Sequence, residues 1–172
     1  SSALEIAGYG GSASWTQIGA TFESDGSDAP GLLLSFSQDG SRLLVGSWSS
    51  TAVYEWQSGS SSWTQIGDNF NTITSASLSG DGNVVALGVV DSTGSESVWT
   101  ARVFHYSGGS WQQVGSNIVG PSSEGSTAKV SISSDGNVLA VGARDSSDAS
   151  GVNATQSGRV RIYQWPSNDL AA

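Results

Sequence analysis

The sequence predicts an all-β fold built from repeated four-stranded antiparallel sheets. The pentapeptide Trp-Thr-Gln-Ile-Gly at 15–19 returns at 63–67, and as Trp-Gln-Gln-Val-Gly at 111–115. Short apolar runs separated by Asp-Gly pairs follow each copy, and no stretch shows the periodicity of an amphipathic helix. The motif recurs every 48 residues, and a repeat of this length made of short strands is typical of stacked β-sheet units.

Each repeat opens with a strand, called strand a, and a tight turn. The segments read LSFSQDGSRLLVGS (34–47), ASLSGDGNVVALGV (76–89) and VSISSDGNVLAVGA (130–143). Their turns begin at Asp39, Asp81 and Asp135, each followed by Gly, and Asp-Gly between apolar runs is a strong hairpin signal. Calcium takes six to eight oxygen ligands, so a single aspartate beside a glycine is interpreted as a turn former.

Strand b is a nearly continuous apolar run, which predicts burial on both faces. A glycine ends each run, at Gly46, Gly88 and Gly142. We expect a side chain at these positions to obstruct close packing.

Strand c carries an aromatic pair (53–56, 103–106 and 162–165), and strand d carries the Trp-x-Gln-φ-Gly motif. Because Trp15, Trp63 and Trp111 share one repeat position, we expect them to pack between neighbouring sheets. A single four-stranded sheet cannot bury both of its faces, so the units must stack. Four strands per unit is the pattern of a β-propeller blade.

The third unit, GNVLAVGARDSSDASGVNATQSGRVRIYQW, resembles the FG-GAP repeats of integrin α-chain propellers and their secreted relatives, including stramenopile and bacterial surface proteins. The first unit, SFSQDGSRLLVGSWSSTAVYEW, is similar to a WD repeat. Both resemblances imply a β-propeller. The FG-GAP calcium loop and the Gly-His and Trp-Asp pairs of WD repeats are missing, which disfavours a calcium array and a cytoplasmic scaffold.

The chain is interpreted as one β-repeat domain that begins and ends with incomplete blades. The predicted parts are a partial blade, two whole blades, a second partial blade and a tail, at 1–30, 31–70, 71–119, 120–166 and 167–172. The blades are expected to contain two, four, four and three strands, and the first two are a c-like strand at 4–9 and a strand d at 15–19. Such a set cannot close a propeller, which needs about four blades. Either the chain is part of a longer propeller, or copies join head to tail into a ring or a filament. We expect the second, with the amino-terminal strands of one copy completing the last blade of the next.

Composition limits the partners. The formal net charge is −9, and an acidic surface repels nucleic acid and anionic membranes. No run is long enough to cross a membrane as a helix. The chain has no Cys and no Met, and its loops are rich in Ser, Thr and Gly, which favours an extracellular or cell-surface protein.

No catalytic constellation can be assembled from the sequence. His105 is the single histidine, and it stands where the sister units have Glu55 and Gln164, which indicates a tolerant structural position. The chain predicts no cofactor and no metal site, although two acidic loop clusters are compatible with a weakly bound cation such as calcium. Their members are Glu23, Asp25, Asp28, Asp145 and Asp148.

Two tryptophans, Trp48 and Trp99, fall outside the repeated positions and beside the b–c loops. If exposed, they could stack on a sugar ring or contact a protein partner. Asn153 heads the one N-glycosylation sequon, on the longest loop. The leading functional hypothesis is an extracellular structural or adhesive module. The alternative is a carbohydrate-binding propeller that uses the loop tryptophans.

Overall fold

The chain folds into three antiparallel β-sheets. The computed structural model describes residues 14–23, 31–47, 49–93, 96–121, 124, 128–146 and 157–166. Within these ranges there are eleven strands and no α-helix. The predicted all-β class and the antiparallel four-stranded units are thereby confirmed, whereas the described sheets do not form a closed ring.

Sheet I and sheet II each contain four strands in sequence order. Sheet I consists of β1 (Leu33–Phe36), β2 (Arg42–Gly46), β3 (Thr51–Gln57) and β4 (Ser62–Phe70). Sheet II consists of β5 (Ile73–Leu78), β6 (Val84–Thr93), β7 (Glu96–Ser107) and β8 (Ser110–Val119). The four strands of each sheet are strands a to d of the repeat.

Sheet III contains three strands, and its outer edge is β11. The strands are β9 (Ala128–Ile132), β10 (Val138–Ser146) and β11 (Ser157–Gln164). They correspond to strands a, b and c. Within the described residues, no strand d pairs with β11.

The Asp-Gly turns share one hydrogen-bonding pattern that fixes the a–b hairpin. In sheet I, Ser37 Oγ donates to Asp39 Oδ1 at 2.7 Å and accepts the Arg42 amide at 2.9 Å. The Asp39 carboxylate also accepts the Ser41 amide at 2.9 Å. Serine and aspartate stabilise turns in this way by bonding to nearby backbone. Asp81 and Asp135 repeat the pattern with the serines two positions before them.

Two apolar clusters hold the sheets together, one at each junction. The first lies between sheets I and II and includes Leu44, Val53, Leu78, Val85 and Leu87. The second lies between sheets II and III and includes Ala86, Trp99, Ala101, Leu139 and Val141. Strand b of sheet II therefore contributes alternate residues to both clusters, as its continuous apolar run predicts.

Two strand-level expectations require correction. Residues 15–19 were expected to form a strand d, but they belong to no sheet, because no strand in the described part of the chain lies beside them. The strand expected at 4–9 lies outside the described residues. The b–c connection of sheet II was expected to be a loop. Instead, β6 and β7 continue pairing as far as Thr93 opposite Glu96.

The three strand-b glycines do not share one role. A Cβ at Gly46 would overlap Thr51, and one at Gly88 would lie 2.6 Å from the Ala128 carbonyl oxygen of sheet III. At Gly142, however, a Cβ would make only ordinary contacts at 3.9 Å. The expected obstruction is absent at Gly142 because no further sheet packs on that side among the described residues.

Candidate functional site

The strand-a serines join neighbouring sheets. Ser35 Oγ on β1 accepts the backbone N–H of Leu78 on β5 at 3.0 Å. One unit later, Ser77 Oγ accepts the backbone N–H of Ile132 on β9 at 3.1 Å. Each serine therefore satisfies an amide of the next sheet. These serines recur in strand a of each repeat, but nothing near them in the sequence identifies the amides that they bind.

The a–b turn of each sheet is also hydrogen-bonded to the a–b turn of the next sheet. The backbone N–H of Gln38 donates to the Gly80 carbonyl oxygen at 2.7 Å, and the backbone N–H of Gly80 donates to the Ser134 carbonyl oxygen at 2.8 Å. These three residues precede the turn aspartates and occupy one repeat position. The serine and turn bonds together form a junction that is repeated from sheet to sheet.

A tryptophan on each strand d rests on the glycine of the preceding copy of the motif. Trp111 lies against Gly67, which has a φ of +66°, and its Nε1 donates to the Ile66 carbonyl oxygen at 3.2 Å. Trp63 lies against Gly19 in the same way, since a Cβ there would stand 2.8 Å from Trp63 Cδ1. The interpretation of these two tryptophans as inter-unit contacts agrees with this geometry.

Segment 14–23 has the internal structure of a strand d although it is in no sheet. Gln17 Nε2 donates to the Gly19 carbonyl oxygen and to Thr21 Oγ1, both at 3.2 Å. Gln65 in β4 and Gln113 in β8 make the equivalent pair of bonds. The Phe22 ring meets Tyr54 with centroids 4.8 Å apart, as Phe70 meets Phe104 at 5.1 Å.

Trp15, at the start of this segment, is fully exposed. It was expected to pack between sheets like Trp63 and Trp111. That expectation is wrong for the single chain, because no strand c lies beside segment 14–23 among the described residues.

Sheet III presents an open face and an open edge. The open face of sheet III is formed by Ser131, Val160 and Ile162, and Ile162 is 64% exposed. The corresponding residues of sheet II are Ser77, Ala101 and Val103, which contact sheet III. Ser131 thus occupies the position of the junction serine, and no sheet within the described ranges packs against it.

Sheet I presents the complementary open face, formed by Leu34 and Phe36. Phe36 is 58% exposed, whereas its counterpart Leu78 in sheet II is buried against sheet I. A cavity of about 390 Å³ separates this face from segment 14–23. The two ends of the stack therefore expose large apolar side chains that are buried at the internal junctions.

A second cavity lies between sheets II and III, where a strand-d tryptophan of sheet III would stand. Its volume is about 260 Å³, and Val114, Gly115, Leu139 and Trp165 are among the residues that line it. Gly115 has the left-handed φ of +70° that Gly19 and Gly67 share. A Cβ on Gly115 would be 2.9 Å from Trp165 Cζ3, and a Cβ on Gly19 would likewise be 3.1 Å from Trp56 Cζ3.

Trp99 is not available for a ligand. It is 1% exposed and packs in the cluster between sheets II and III, so the expectation of an exposed contact residue is wrong. The extended β6–β7 hairpin carries it inward, opposite Val90. Its Nε1 donates to Glu124 Oε2 at 3.2 Å.

Glu124 is a fully buried carboxylate that ties the connection between sheets II and III to β11. Arg161 donates to both of its oxygens, and Arg159 Nη1 donates to Oε1 at 3.1 Å. The hydrogen bonds from Arg161 lower the pKa of Glu124, although burial acts in the opposite direction. Sequence reasoning missed this site because its members are far apart in the chain and follow no repeat.

The turn aspartates are held ionised by their serines. Hydrogen bonds from Ser37 and then Ser41 lower the pKa of Asp39 to about 2. The Ser133 hydroxyl lowers the pKa of Asp135. For Asp81, burial raises the pKa, but the bonds from Ser79 and Asn83 outweigh it, so the net direction is downward. These carboxylates act as structural acceptors.

The remaining candidate residues are scattered or lie outside the described ranges. Those outside are Trp48, Asp25, Asp28, Asp148 and Asn153. Glu23 is exposed, and Asp145 is in β10 with its side chain not described. Among the described residues, no three acidic or histidine side chains are grouped so as to hold a metal ion. His105 lies on β7 opposite Val84 and Gln112.

Within the described part of the chain, no helix has the length and apolarity needed to span a bilayer.

Comparison with known proteins identifies no family. No protein-family model matches the chain, and no curated protein matches it. One similar solved structure is the crystal structure of TolB from Acinetobacter baumannii, with 16% sequence identity and a TM-score of 0.33. That match covers 80% of this chain and spans 41% of the TolB chain. The similarity is too low to assign a family.

Proposed function

We propose that this protein is a non-enzymatic structural module of the β-propeller type, which associates head to tail with other copies of itself. The observation that supports this proposal most strongly is the repetition of one junction. Sheets I and II, and sheets II and III, are joined by the same serine–amide bond and the same turn–turn bond. The groups that could form a third such junction are divided between the two end sheets. Sheet III holds the hydroxyl of Ser131, and sheet I holds the backbone N–H of Phe36.

The end faces favour association on energetic grounds as well. Exposed Leu34 and Phe36 at one end and Val160 and Ile162 at the other are apolar side chains on open sheet faces. Burial of apolar surface stabilises an interface by roughly 25 cal/mol per Å². An exposed apolar face beside an unpaired strand edge is a recognised site of association. Because the two faces differ, their contact is heterologous, and copies add in one direction.

Composition supports a location outside the cell or at its surface. Absence of Cys and Met leaves no sulfur to oxidise, and the Asn153 sequon would accept a glycan in a secreted chain. The carbohydrate-binding alternative depended on the loop tryptophans Trp48 and Trp99. Trp99 is buried, and Trp48 lies outside the described residues.

The experiment is light scattering of the purified chain over a concentration series, with negative-stain microscopy of the same samples. We expect a mass that rises above the 17.5 kDa of one chain, as rings or filaments. Ile162→Asp is the matched variant, because this exposed side chain can carry a charge in the single chain but not inside an interface. A constant mass of one chain at every concentration would contradict the proposal.

A further inference from the structure

We propose that residues 14–19 of a second copy form the missing strand d of sheet III, paired with the outer edge of β11. This inference rests on the proposed head-to-tail association and specifies where it occurs. Among the described residues, sheet III has no strand d, and segment 14–23 has the internal structure of a strand d but belongs to no sheet. The two incomplete parts are complementary.

The segment is already shaped for this pairing. Gln17 holds Gly19 and Thr21 with the same bonds that fix the strands β4 and β8. Gly19 has a φ of +72°, close to the +66° of Gly67 and the +70° of Gly115. Little conformational entropy is therefore lost when the segment joins a sheet, since its conformation exists beforehand.

The register follows from the two complete sheets. Trp56 faces Trp63 in sheet I, and Tyr106 faces Trp111 in sheet II. By the same register, Trp165 of one copy faces Trp15 of the next. The pairs Val53–Ile66 and Val103–Val114 likewise place Ile162 opposite Ile18.

A pocket that can hold Trp15 of a second copy lies between sheets II and III. Trp111 occupies the equivalent position against Gly67 and donates a hydrogen bond to the Ile66 carbonyl oxygen. Above Gly115, the cavity of about 260 Å³ lies open, with Val114 and Trp165 in its lining. The fully exposed indole of Trp15 therefore gains a pocket, and its Nε1 gains the Val114 carbonyl oxygen as acceptor.

The proposed pairing preserves the contacts that segment 14–23 makes within its own chain. Segment 14–23 lies on sheet I of its own chain through Gly19 against Trp63 and Phe22 against Tyr54. Strand β4 lies on sheet II through the equivalent contacts. When segment 14–23 of the second copy pairs with β11 of the first copy, sheet III of the first copy packs on the open face of sheet I of the second. Ser131 Oγ of the first copy then accepts the backbone N–H of Phe36 of the second, as Ser35 Oγ accepts that of Leu78 within one chain.

Disulfide trapping tests the register, because the chain has no cysteine of its own. The register places Thr16 opposite Gln164, as Thr64 faces Glu55. Both side chains are exposed in the single chain. Thr16→Cys and Gln164→Cys are made as separate variants and mixed under mild oxidation, so that any heterodisulfide joins two copies. The matched control mixes Thr16→Cys with Pro166→Cys, which shifts the second thiol two residues along the strand, beyond the usual Cα distance for a disulfide.

We expect a disulfide-linked heterodimer in the first mixture, at least tenfold more abundant than in the control. A greater yield in the control, or no heterodimer in either mixture while the wild-type chain assembles, would overturn the strand pairing and leave head-to-tail association standing. A wild-type chain that stays single in light scattering would instead overturn the proposed function.

Gly142→Ala gives a second, independent readout. Its counterpart Gly88 has no room for a Cβ because of the Ala128 carbonyl of the next sheet, whereas Gly142 has room in the single chain. In the proposed assembly, the carbonyl of Leu32 from the second copy takes the place of that of Ala128. We expect Gly142→Ala to fold with wild-type thermal stability as a single chain and to assemble at least tenfold more weakly. Wild-type assembly of this variant would contradict the packing.

Discussion

Trp111 Nε1 donates a hydrogen bond to the carbonyl oxygen of Ile66 at 3.2 Å, and so links strand d of sheet II to strand d of sheet I. The indole can approach the backbone because the next residue, Gly67, has no side chain. The motif Trp-x-Gln-φ-Gly therefore carries both halves of one contact. Its tryptophan reaches back to the preceding unit, and its glycine receives the tryptophan of the following unit.

Gly67→Ala should destabilise the fold. The residue has a φ of +66°, and a Cβ would collide with Trp111, so we expect a loss of about 1–3 kcal/mol in the free energy of unfolding. Gly59→Ala is the control, since nothing lies within 4 Å of its added Cβ, and its effect should stay within about 0.5 kcal/mol. Urea unfolding followed by tryptophan fluorescence gives both values. Equal midpoints for the two variants would refute the contact.

Ser77→Ala should weaken the junction between sheets II and III. Its hydroxyl accepts the Ile132 amide, and leaving this amide without a partner costs roughly 1–3 kcal/mol. Ser131→Ala removes the equivalent, exposed hydroxyl and should leave stability unchanged at dilutions where the chain is single. Thermal unfolding at such a dilution is the measurement. A similar loss in both variants would show that the hydroxyl acts within its own sheet.

Glu124→Gln should destabilise sheet III. The substitution removes the charge that Arg159 and Arg161 share, and charge-assisted hydrogen bonds each contribute roughly 1.5–3 kcal/mol. Glu55→Gln is the control, because its pair with Arg42 is partly exposed and such pairs contribute about 0–1 kcal/mol. Denaturant unfolding compares them, and a smaller effect at Glu124 than at Glu55 would be inconsistent with the buried cluster.

Stability should be constant near neutral pH and fall in acid. The pKa of Asp39 is about 2 in the folded chain, below its ordinary value of 3.8, and the pKa of Glu124 is also lowered from 4.5. Carboxylates with depressed pKa values stabilise the folded state above their unfolded pKa, and that contribution is lost as pH falls through the folded pKa. The urea midpoint should therefore decrease from about pH 4.5 towards pH 2. We expect Asp39→Asn to flatten the lower part of this curve; a parallel curve would count against the role of Asp39.

Salt should strengthen assembly. Each copy carries a formal net charge of −9, so association brings like charges together, and ionic strength screens their repulsion. We expect the mass from light scattering at a fixed concentration to be greater in 0.5 M than in 0.05 M sodium chloride. A decrease with salt would indicate an interface held by ion pairs instead of apolar faces.

The repeating parts of the fold could be predicted from sequence because their signals are local. The Asp39-Gly40 turn and the apolar run at 43–45 are each encoded within a few residues, and three copies reinforce each one. Burial of Trp99 could not be predicted. It depends on the β6–β7 hairpin continuing past its expected end and on Glu124, which follows 25 residues later.

The candidate site was predicted only in part. The match between 15–19 and 63–67 identified a separate copy of the strand-d motif, and completion of the partial blades by another copy, which was expected over a longer propeller, remains a prediction. The junction serines could not be assigned. Ser77 bonds to an amide 55 residues away, and nothing near it in the sequence marks that partner. Gly142 looks identical to Gly88 in sequence, and only the next sheet distinguishes them.

Amide hydrogen exchange measured by mass spectrometry over a concentration series tests the shared junction most directly. If copies extend the stack, peptides covering 14–19 and β11 should gain protection together as concentration rises, while β3, already paired on both sides, stays unchanged. Exchange in both segments that stays fast while the particles grow would contradict the account.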